Sequence, residues 1–90
     1  MIFEWDESKA TTNQRKHKVT FEEASTVFAD NLSLTGRDPD HSIEEHRSIT
    51  FGMSEESRLL VVSHTDRGDK IRIISARQAT NAERKIYEDS

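Results

Sequence analysis

The sequence contains no cysteine, one proline and three glycines in 90 residues. Without cysteine, the chain has no disulfide framework, no thiolate zinc site and no cysteine nucleophile, and a reducing cell interior is its natural compartment. The few glycines form neither a phosphate-binding loop nor the G-x-S-x-G elbow of a hydrolase. The sequence therefore excludes a catalytic cysteine, a glycine-rich nucleotide-binding loop and a serine hydrolase of the G-x-S-x-G type.

Long apolar runs are also missing. The start, "MIFEWDESK", turns acidic and polar after five residues, so we expect no signal peptide, no membrane association and a cytoplasmic location. Leu, Ile, Val and Phe make up about 21% of the chain, just above the composition typical of disorder. We therefore expect a single domain over residues 1–90, with limited stability.

The formal net charge of -4 hides an uneven distribution. Residues 9–18, "KATTNQRKHK", are basic without an acid, residues 22–47 are mainly acidic, and residues 58–77 are mainly basic again. The overall charge argues against non-specific nucleic-acid binding. A local basic face could still bind phosphate if the fold joins the two basic segments.

Helix-start signals occur at three places. Asp6 can cap a helix that runs to about His17, although this helix carries almost no apolar side chain. Thr20 and Glu23 have the spacing of a reciprocal capping box, with an apolar stripe following at helical spacing. "TNAE" at residues 80–83 is a second capping box, which predicts a short final helix to about Glu88.

The remaining segments have the patterns of strands. "IFEW" is a plausible first strand, and "NLSLTG" and "SITFGM" each alternate apolar with polar residues. "RLLVVSHT" is apolar on both faces, and "DRGD" can close a hairpin to "KIRIISA". The order predicts an α+β domain: an antiparallel β-meander with two N-terminal helices and a short C-terminal helix, the helices covering one face.

The last hairpin carries candidate residues for binding a phosphate. Strand alternation places Ile71, Ile73 and Ser75 on one side of the final strand and Lys70, Arg72 and Ile74 on the other. Hairpin register should bring His64 near Arg72, on a face that the turn decides. Arg77 follows the strand, and the forked guanidinium groups of two arginines suit a phosphate or its transition state.

Further candidates lie at the two ends of the chain. Lys16 and His17 end the first polar helix, and Tyr87 on the last helix could supply a phenol or a stacking ring. Each residue also has a structural explanation: solvated basic side chains, a hydrogen-bonded histidine, or cations that meet a helix dipole. The concurrence of several such residues, rather than any single one, favours a functional site.

The stretch "DPDHSIEEH" contains residue types that bind metals, namely Asp38, Asp40, His41, Glu45 and His46. Their spacing does not match H-E-x-x-H, and an acidic loop explains the same residues. We therefore expect no metal site and no cofactor.

Three stretches together resemble the BrnT toxins of bacterial type II toxin–antitoxin systems. They are "FEWDESKATTNQRKHKVTFEEASTVFAD", "DPDHS" and "LLVVSHTDRGDKIRIISARQATNAERKIYE", in family order. The usual residue after the "KH" of the family is glycine, whereas Lys18 stands here. The resemblance implies a RelE-like fold and a ribonuclease that inhibits translation.

The resemblance also implies a mechanism and partners. RelE-like enzymes need no metal: the 2'-hydroxyl of RNA attacks the adjacent phosphorus, and the protein supplies a base, an acid and positive charge. We expect Arg72 and Arg77 to stabilise phosphate charge and His64 to transfer a proton, with Tyr87 as a weaker catalytic candidate. The expected RNA-binding residues are Lys16, His17, Arg67 and Lys70. A BrnA-like antitoxin is the expected partner, in a heterotetramer, and the RNA is either free or on the ribosome.

Two other functions stay open. The domain could be a non-catalytic interaction module that docks an antitoxin or another partner, since the acidic balance does not favour RNA and a thin core would gain from a partner. A DNA-binding regulator ranks lowest, because no helix is rich in base-reading residues.

Overall fold

The computed structural model describes residues 1–38 and 47–89. In chain order the elements are β1 (Ile2–Glu4), α1 (Glu7–His17), α2 (Phe21–Thr26), a 3-10 turn (Val27–Ala29), β2 (Leu34–Arg37), β3 (Ser48–Met53), β4 (Leu59–Arg67), β5 (Lys70–Gln78) and α3 (Asn81–Glu88). The predicted α+β class is confirmed. Within the described residues, no helix is both long and apolar enough to cross a membrane.

The five strands form one sheet in the order β1-β5-β4-β3-β2. The antiparallel meander of β2 to β5 is confirmed, and β1 joins the sheet in parallel beside β5. β1 is short and pairs only with Lys70, Ile71 and Arg72. The rest of that edge of β5 is therefore left to α1.

Local signals set the bounds of α1. The Asp6 side chain accepts a hydrogen bond from the Lys9 N–H, as the sequence predicts for an N-cap. Lys18 ends the helix in the left-handed conformation, at φ 60, and its N–H donates to the Gln14 carbonyl. Lysine thus adopts the backbone conformation that usually favours glycine at this position.

The capping box predicted for α2 is only half correct. The Thr20 hydroxyl accepts from the Glu23 N–H, but the Glu23 carboxylate does not return to the cap. It binds the Arg58 guanidinium and the Ser54 hydroxyl, and it is almost fully buried. A long-range ion pair therefore replaces the local contact and ties α2 to the turn before β4.

One face of the sheet packs against α2 and forms the core. The buried apolar side chains of this core are Val19, Phe21, Ala24, Val27, Leu60, Val62, Ile73 and Ala76. Gly52 permits the close approach, because a Cβ there would lie 2.6 Å from Val27 Cγ1. We call this side of the sheet the core face, and the other side the open face.

The last helix lies on the open face. Because Gly52 faces Val27, its neighbour Phe51 points to the open face, and Ile86 of α3 lines a cavity with Phe51, Ile49 and Leu34. The expectation that all helices cover one face is therefore wrong for α3. Its capping box at Thr80 and Glu83 is confirmed.

A β-bulge interrupts β5. Ser63 pairs with Ser75 while His64 pairs with Ile73, so Ile74 is an extra residue on β5. The bulge turns Ser75 to the open face beside Ile74, and the predicted grouping of Ser75 with Ile73 is wrong. It also leaves Arg72 and Arg77 on the same open face, although their separation in sequence is odd.

Candidate functional site

A groove with basic walls lies between α1 and the open face of β4 and β5. It consists of two adjoining cavities that share Lys9 and Ile74. The α1 cavity is lined by Lys9, Lys16 and His17 of α1 together with Ile74 and Ser75 of β5. The hairpin cavity is lined by Lys9, Arg47, Thr65, Asp66, Arg67, Arg72 and Ile74. We call the two together the basic groove.

The cations of the basic groove come from segments far apart in the sequence. α1, the residue before β3, and both strands of the last hairpin each contribute at least one. Among the described residues, Asp66 is the only carboxylate that lines either cavity, in a chain whose net charge is -4. The fold thus joins the two basic segments of the sequence into one anion-attracting surface.

Asn13 fixes α1 against the sheet. Its amide nitrogen donates to the carbonyls of Ala76, at 2.8 Å, and Val19, at 3.0 Å, and its amide oxygen accepts from the Ala76 N–H at 3.0 Å. These bonds explain how a helix with almost no apolar side chain is docked. His17 lies one turn beyond Asn13 on the same face of α1, so its ring is held over β5.

His64 lies on the core face and outside the basic groove. Its Nε2 is 2.8 Å from the Thr50 hydroxyl, its Nδ1 is 3.1 Å from Asp66 Oδ1, and its ring meets Phe28 edge-on. Burial lowers the pKa of His64, against the opposing charge of Asp66. Thr65, the next residue, faces Arg72 across the hairpin, so His64 and Arg72 point to opposite faces. The catalytic role of His64 stays a prediction, and its burial on the core face does not favour that role.

Arg77 and Tyr87 hold α3 in place. Two nitrogens of the Arg77 guanidinium donate to Glu83 at 2.7 and 2.8 Å, and this contact lowers the pKa of Glu83 to about 2. The Tyr87 hydroxyl donates to Asp30 Oδ2, which raises the pKa of Tyr87 to about 12. Because of the bulge, Arg77 lies the equivalent of four strand positions from Arg72, about 13 Å at the usual rise of a strand. The two arginines therefore do not converge on one phosphate.

Arg67 and Lys70 face each other at the end of the hairpin. Gly68 between them has φ +66, as the sequence predicts for this turn. Arg67 lines the hairpin cavity, whereas Lys70 is exposed and lines neither cavity. Four of the predicted residues thus lie in the basic groove: Lys16, His17, Arg67 and Arg72.

The sequence-based prediction missed several residues of the groove. Lys9 lies four residues before Asn13 and seven before Lys16, a helical spacing that could have revealed it. Thr65 could have been found by alternation from Arg67 on β4. Ser75 could not have been found, because only the bulge turns it to the open face.

The possible metal-binding stretch lies almost entirely outside the described residues. Only Asp38 is described: it is buried, and its N–H donates to the Arg47 carbonyl. Asp40, His41, Glu45 and His46 belong to the segment 39–46. In residues 1–38 and 47–89, no group of three or more histidines and carboxylates is placed to hold a metal.

Comparison with known proteins places the chain in a family. Curated proteins gave no match. The structure is similar to the crystal structure of the Brucella abortus ribonuclease toxin, BrnT, with a TM-score of 0.69, 20% sequence identity, and coverage of 90% of this chain and 100% of that chain. At this identity the likeness shows the fold. Residues 5–83 match the family described as ribonuclease toxin, BrnT, of type II toxin–antitoxin system. This chain therefore belongs to the BrnT family of ribonuclease toxins.

Proposed function

We propose that the chain is an endoribonuclease that binds the RNA backbone in the basic groove. The observation that carries this proposal is the convergence of Lys9, Lys16, Arg67 and Arg72 on one groove of an acidic protein. A cationic groove attracts a polyanion, and RNA is the polyanion that a ribonuclease family cleaves.

In the proposed reaction, RNA supplies its own nucleophile and no metal takes part. A base removes the proton of the 2'-hydroxyl, whose oxygen attacks the adjacent phosphorus. An acid then protonates the departing 5'-oxygen, which leaves a 2',3'-cyclic phosphate. The protein must therefore supply proton transfer and positive charge at the phosphorane.

The groove offers residues for both tasks. Of the two histidines in the described residues, His17 lies in the α1 cavity, so we assign proton transfer to His17 rather than to His64. Lys16 lines the α1 cavity and Arg72 lines the adjoining hairpin cavity, and we assign phosphorane stabilisation to them. Arg77 and Tyr87 keep α3 in place in this scheme, and Lys70 contributes charge at the rim.

In the cell, we propose that this activity inhibits translation in the cytoplasm and that a BrnA-like antitoxin neutralises it. Membership of a toxin–antitoxin family supports an antitoxin partner. We further propose that the fold is RelE-like, and that two toxins assemble with a dimeric antitoxin as a heterotetramer.

A non-catalytic docking module is the second candidate function. An apolar cavity on the open face, lined by Leu34, Ile49, Phe51 and Ile86, favours it. The Ile86 side chain is 57% exposed, which is unusual for a large apolar residue at a cavity. This surface could bind a partner without any contribution from the basic groove.

The deciding experiment is an RNA cleavage assay with the purified, antitoxin-free chain in excess EDTA, with and without ribosomes. The proposal expects products that end in a 2',3'-cyclic phosphate or a 3'-phosphate, and loss of cleavage in His17→Gln. Cleavage that EDTA abolishes would contradict the metal-free mechanism. Folded protein that cleaves no RNA in either setting would favour the docking module.

A further inference from the structure

One buried hydroxyl in the basic groove has no hydrogen-bond partner among the residues that the structure describes. Thr65 is 9% exposed, and its Oγ1 makes no hydrogen bond to any described residue. Among the buried side-chain oxygen and nitrogen atoms of the described residues, Thr65 Oγ1 is the one that lacks a hydrogen bond. Leaving a buried hydroxyl unpaired destabilises a fold, so such a group calls for an explanation.

The surroundings of Thr65 are cationic. Arg72 is its partner across the hairpin, Arg67 lies two residues away on the same face of β4, and Lys9 lines the cavity from α1. Arg67 and Lys9 are exposed, so their long side chains have room to change rotamer and admit a ligand to the hydroxyl. The nearest carboxylate to Arg72 is Glu4, at 3.6 Å, which is longer than a direct charge-assisted hydrogen bond.

The one acid among the described residues of the hairpin cavity is engaged elsewhere. Asp66 contacts His64 Nδ1, which lies on the core side of β4, and its own side chain is 65% exposed. The hydroxyl of Thr65 and the guanidinium of Arg67 are both donors, and neither finds an acceptor among the described side chains. A hydroxyl donor surrounded by arginine and lysine matches the acceptor oxygens of a phosphate.

We propose that the hairpin cavity is a second phosphate subsite, anchored by Thr65, Arg67 and Lys9. This inference rests on the proposed function: the scissile phosphate lies where the two cavities join, and the hairpin cavity holds the phosphate of the neighbouring nucleotide. Thr65 donates a hydrogen bond to a non-bridging oxygen of that phosphate. The substrate is therefore an oligoribonucleotide with a phosphate beside the cleaved linkage, and Thr65 is a positioning residue.

Binding of inorganic phosphate tests the subsite without any cleavage. In the catalytically impaired His17→Gln background, phosphate should shift the backbone amide resonances of residues 63–67 and 70–72. Thr65→Val, which keeps the shape and removes the donor, should weaken this binding about tenfold or more, as expected for a hydrogen bond to a charged group. Thr11→Val, an exposed threonine outside both cavities, is the matched control.

The stability of Thr65→Val separates a binding role from a structural one. Because the hydroxyl makes no hydrogen bond to residues 1–38 or 47–89, the variant should melt at the same temperature as the parent protein or higher. A lower melting temperature would mean that the hydroxyl supports the fold, and would overturn the proposal. Phosphate shifts that are absent from the hairpin, or unchanged in Thr65→Val, would overturn it too.

Cleavage kinetics then distinguish this proposal from the function on which it rests. With otherwise wild-type protein, Thr65→Val should raise KM about tenfold for an oligoribonucleotide that carries the neighbouring phosphate, leave kcat unchanged, and not affect a dinucleoside monophosphate. RNA cleavage with the same KM in Thr65→Val would remove the subsite and keep the ribonuclease. Phosphate binding at the hairpin by a protein that cleaves no RNA would keep the phosphate site and contradict the proposed ribonuclease activity.

Discussion

The two faces of β4 and β5 treat their polar residues differently. On the core face, His64 is enclosed by Thr50, Asp66 and Phe28, and both of its ring nitrogens have partners. On the open face, one residue further along β4, the Thr65 hydroxyl has no hydrogen-bond partner in the described part of the chain and lies among cations. Successive residues of the same strand thus differ: the core face holds its polar side chain by internal contacts, and the open face carries one in the groove where we propose that RNA binds.

The arginines divide in the same way. Arg58 and Arg77 each bind a carboxylate directly, that of Glu23 and of Glu83. Arg67 makes no ion pair within the part of the chain that the structure describes, and Arg72 makes only a long one, to Glu4. Whether an arginine binds a carboxylate directly therefore distinguishes the arginines that support the fold from those that we propose to bind RNA.

The largest expected difference between the two faces is that between His17→Gln and His64→Gln. His17→Gln should lower kcat for RNA cleavage by about a hundredfold to ten-thousandfold, the usual contribution of a general acid or base. His64→Gln should leave the rate per folded molecule unchanged and lower the free energy of unfolding by about 1–3 kcal/mol, because a buried hydrogen-bonded group is disturbed. Single-turnover kinetics and denaturant unfolding of both variants are the measurements.

The reverse result, a fully active His17→Gln and a folded but inactive His64→Gln, would return proton transfer to the core face. It would also require the ring of His64 to reach the substrate from a site that is 2% exposed.

Arg72→Gln tests the charge of the open face. Loss of a donor that stabilises the phosphorane should lower kcat about a hundredfold and relieve growth arrest in cells. Arg77→Gln should have a much smaller effect on the rate, since Arg77 is bound to Glu83. The matched control is Arg84→Gln, an exposed arginine on α3. Equal losses in Arg72→Gln and Arg84→Gln would show that only overall charge matters.

Arg58→Ala tests the structural class of arginine. Its removal leaves the Glu23 carboxylate buried without its cation, so the free energy of unfolding should fall by about 3 kcal/mol. Urea unfolding measures the change, and cleavage per folded molecule should be unaffected. Arg15→Ala, an exposed position on α1 outside both cavities, should change stability very little. A stable Arg58→Ala protein would show that Glu23 does not depend on this pair.

The smallest expected effect is the pH dependence of His64. Burial lowers the pKa of His64 in the fold, so below about pH 6.5 the unfolded chain takes up a proton that the folded chain does not. The stability contributed by the neutral ring is thus complete above about pH 6.5 and is lost as the pH falls. The lowered pKa values of Glu23 and Glu83 act only below their usual value of 4.5. As the pH is lowered from about 6.5 to 4.5, the free energy of unfolding should therefore fall in the wild-type protein. It should fall less steeply in His64→Gln.

Elements whose signals are local could be predicted from the sequence. Asp6, Thr20 and Thr80 each cap the helix expected of them, because a cap depends on residues three positions apart. Glu23 departs from its expected contact because Arg58, far away in the chain, competes for its carboxylate. The parallel pairing of β1 and the position of α3 on the open face depend on tertiary contacts in the same way.

The site was harder to predict than the fold. Four predicted residues do lie in the groove, because α1 and the end of the last hairpin position them there: Lys16, His17, Arg67 and Arg72. The bulge at Ile74 gives no signal in the sequence, yet it decides which face Ser75 and Arg77 occupy. The sequence could not show that His64 lies on the core face, because strand alternation identifies the residues that share a face but not which face is buried.

The short reach of β1 has a consequence for how the protein avoids self-association. β1 ends at Glu4, opposite Arg72, and beyond that point β5 would present free N–H and C=O groups to solvent. An unprotected edge of this kind recruits strands from other chains and leads to aggregation. The Asn13 amide occupies both backbone groups of Ala76, so a single side chain takes the place of a missing strand. The part of this edge that β1 does not reach is thus closed by one residue of a neighbouring helix.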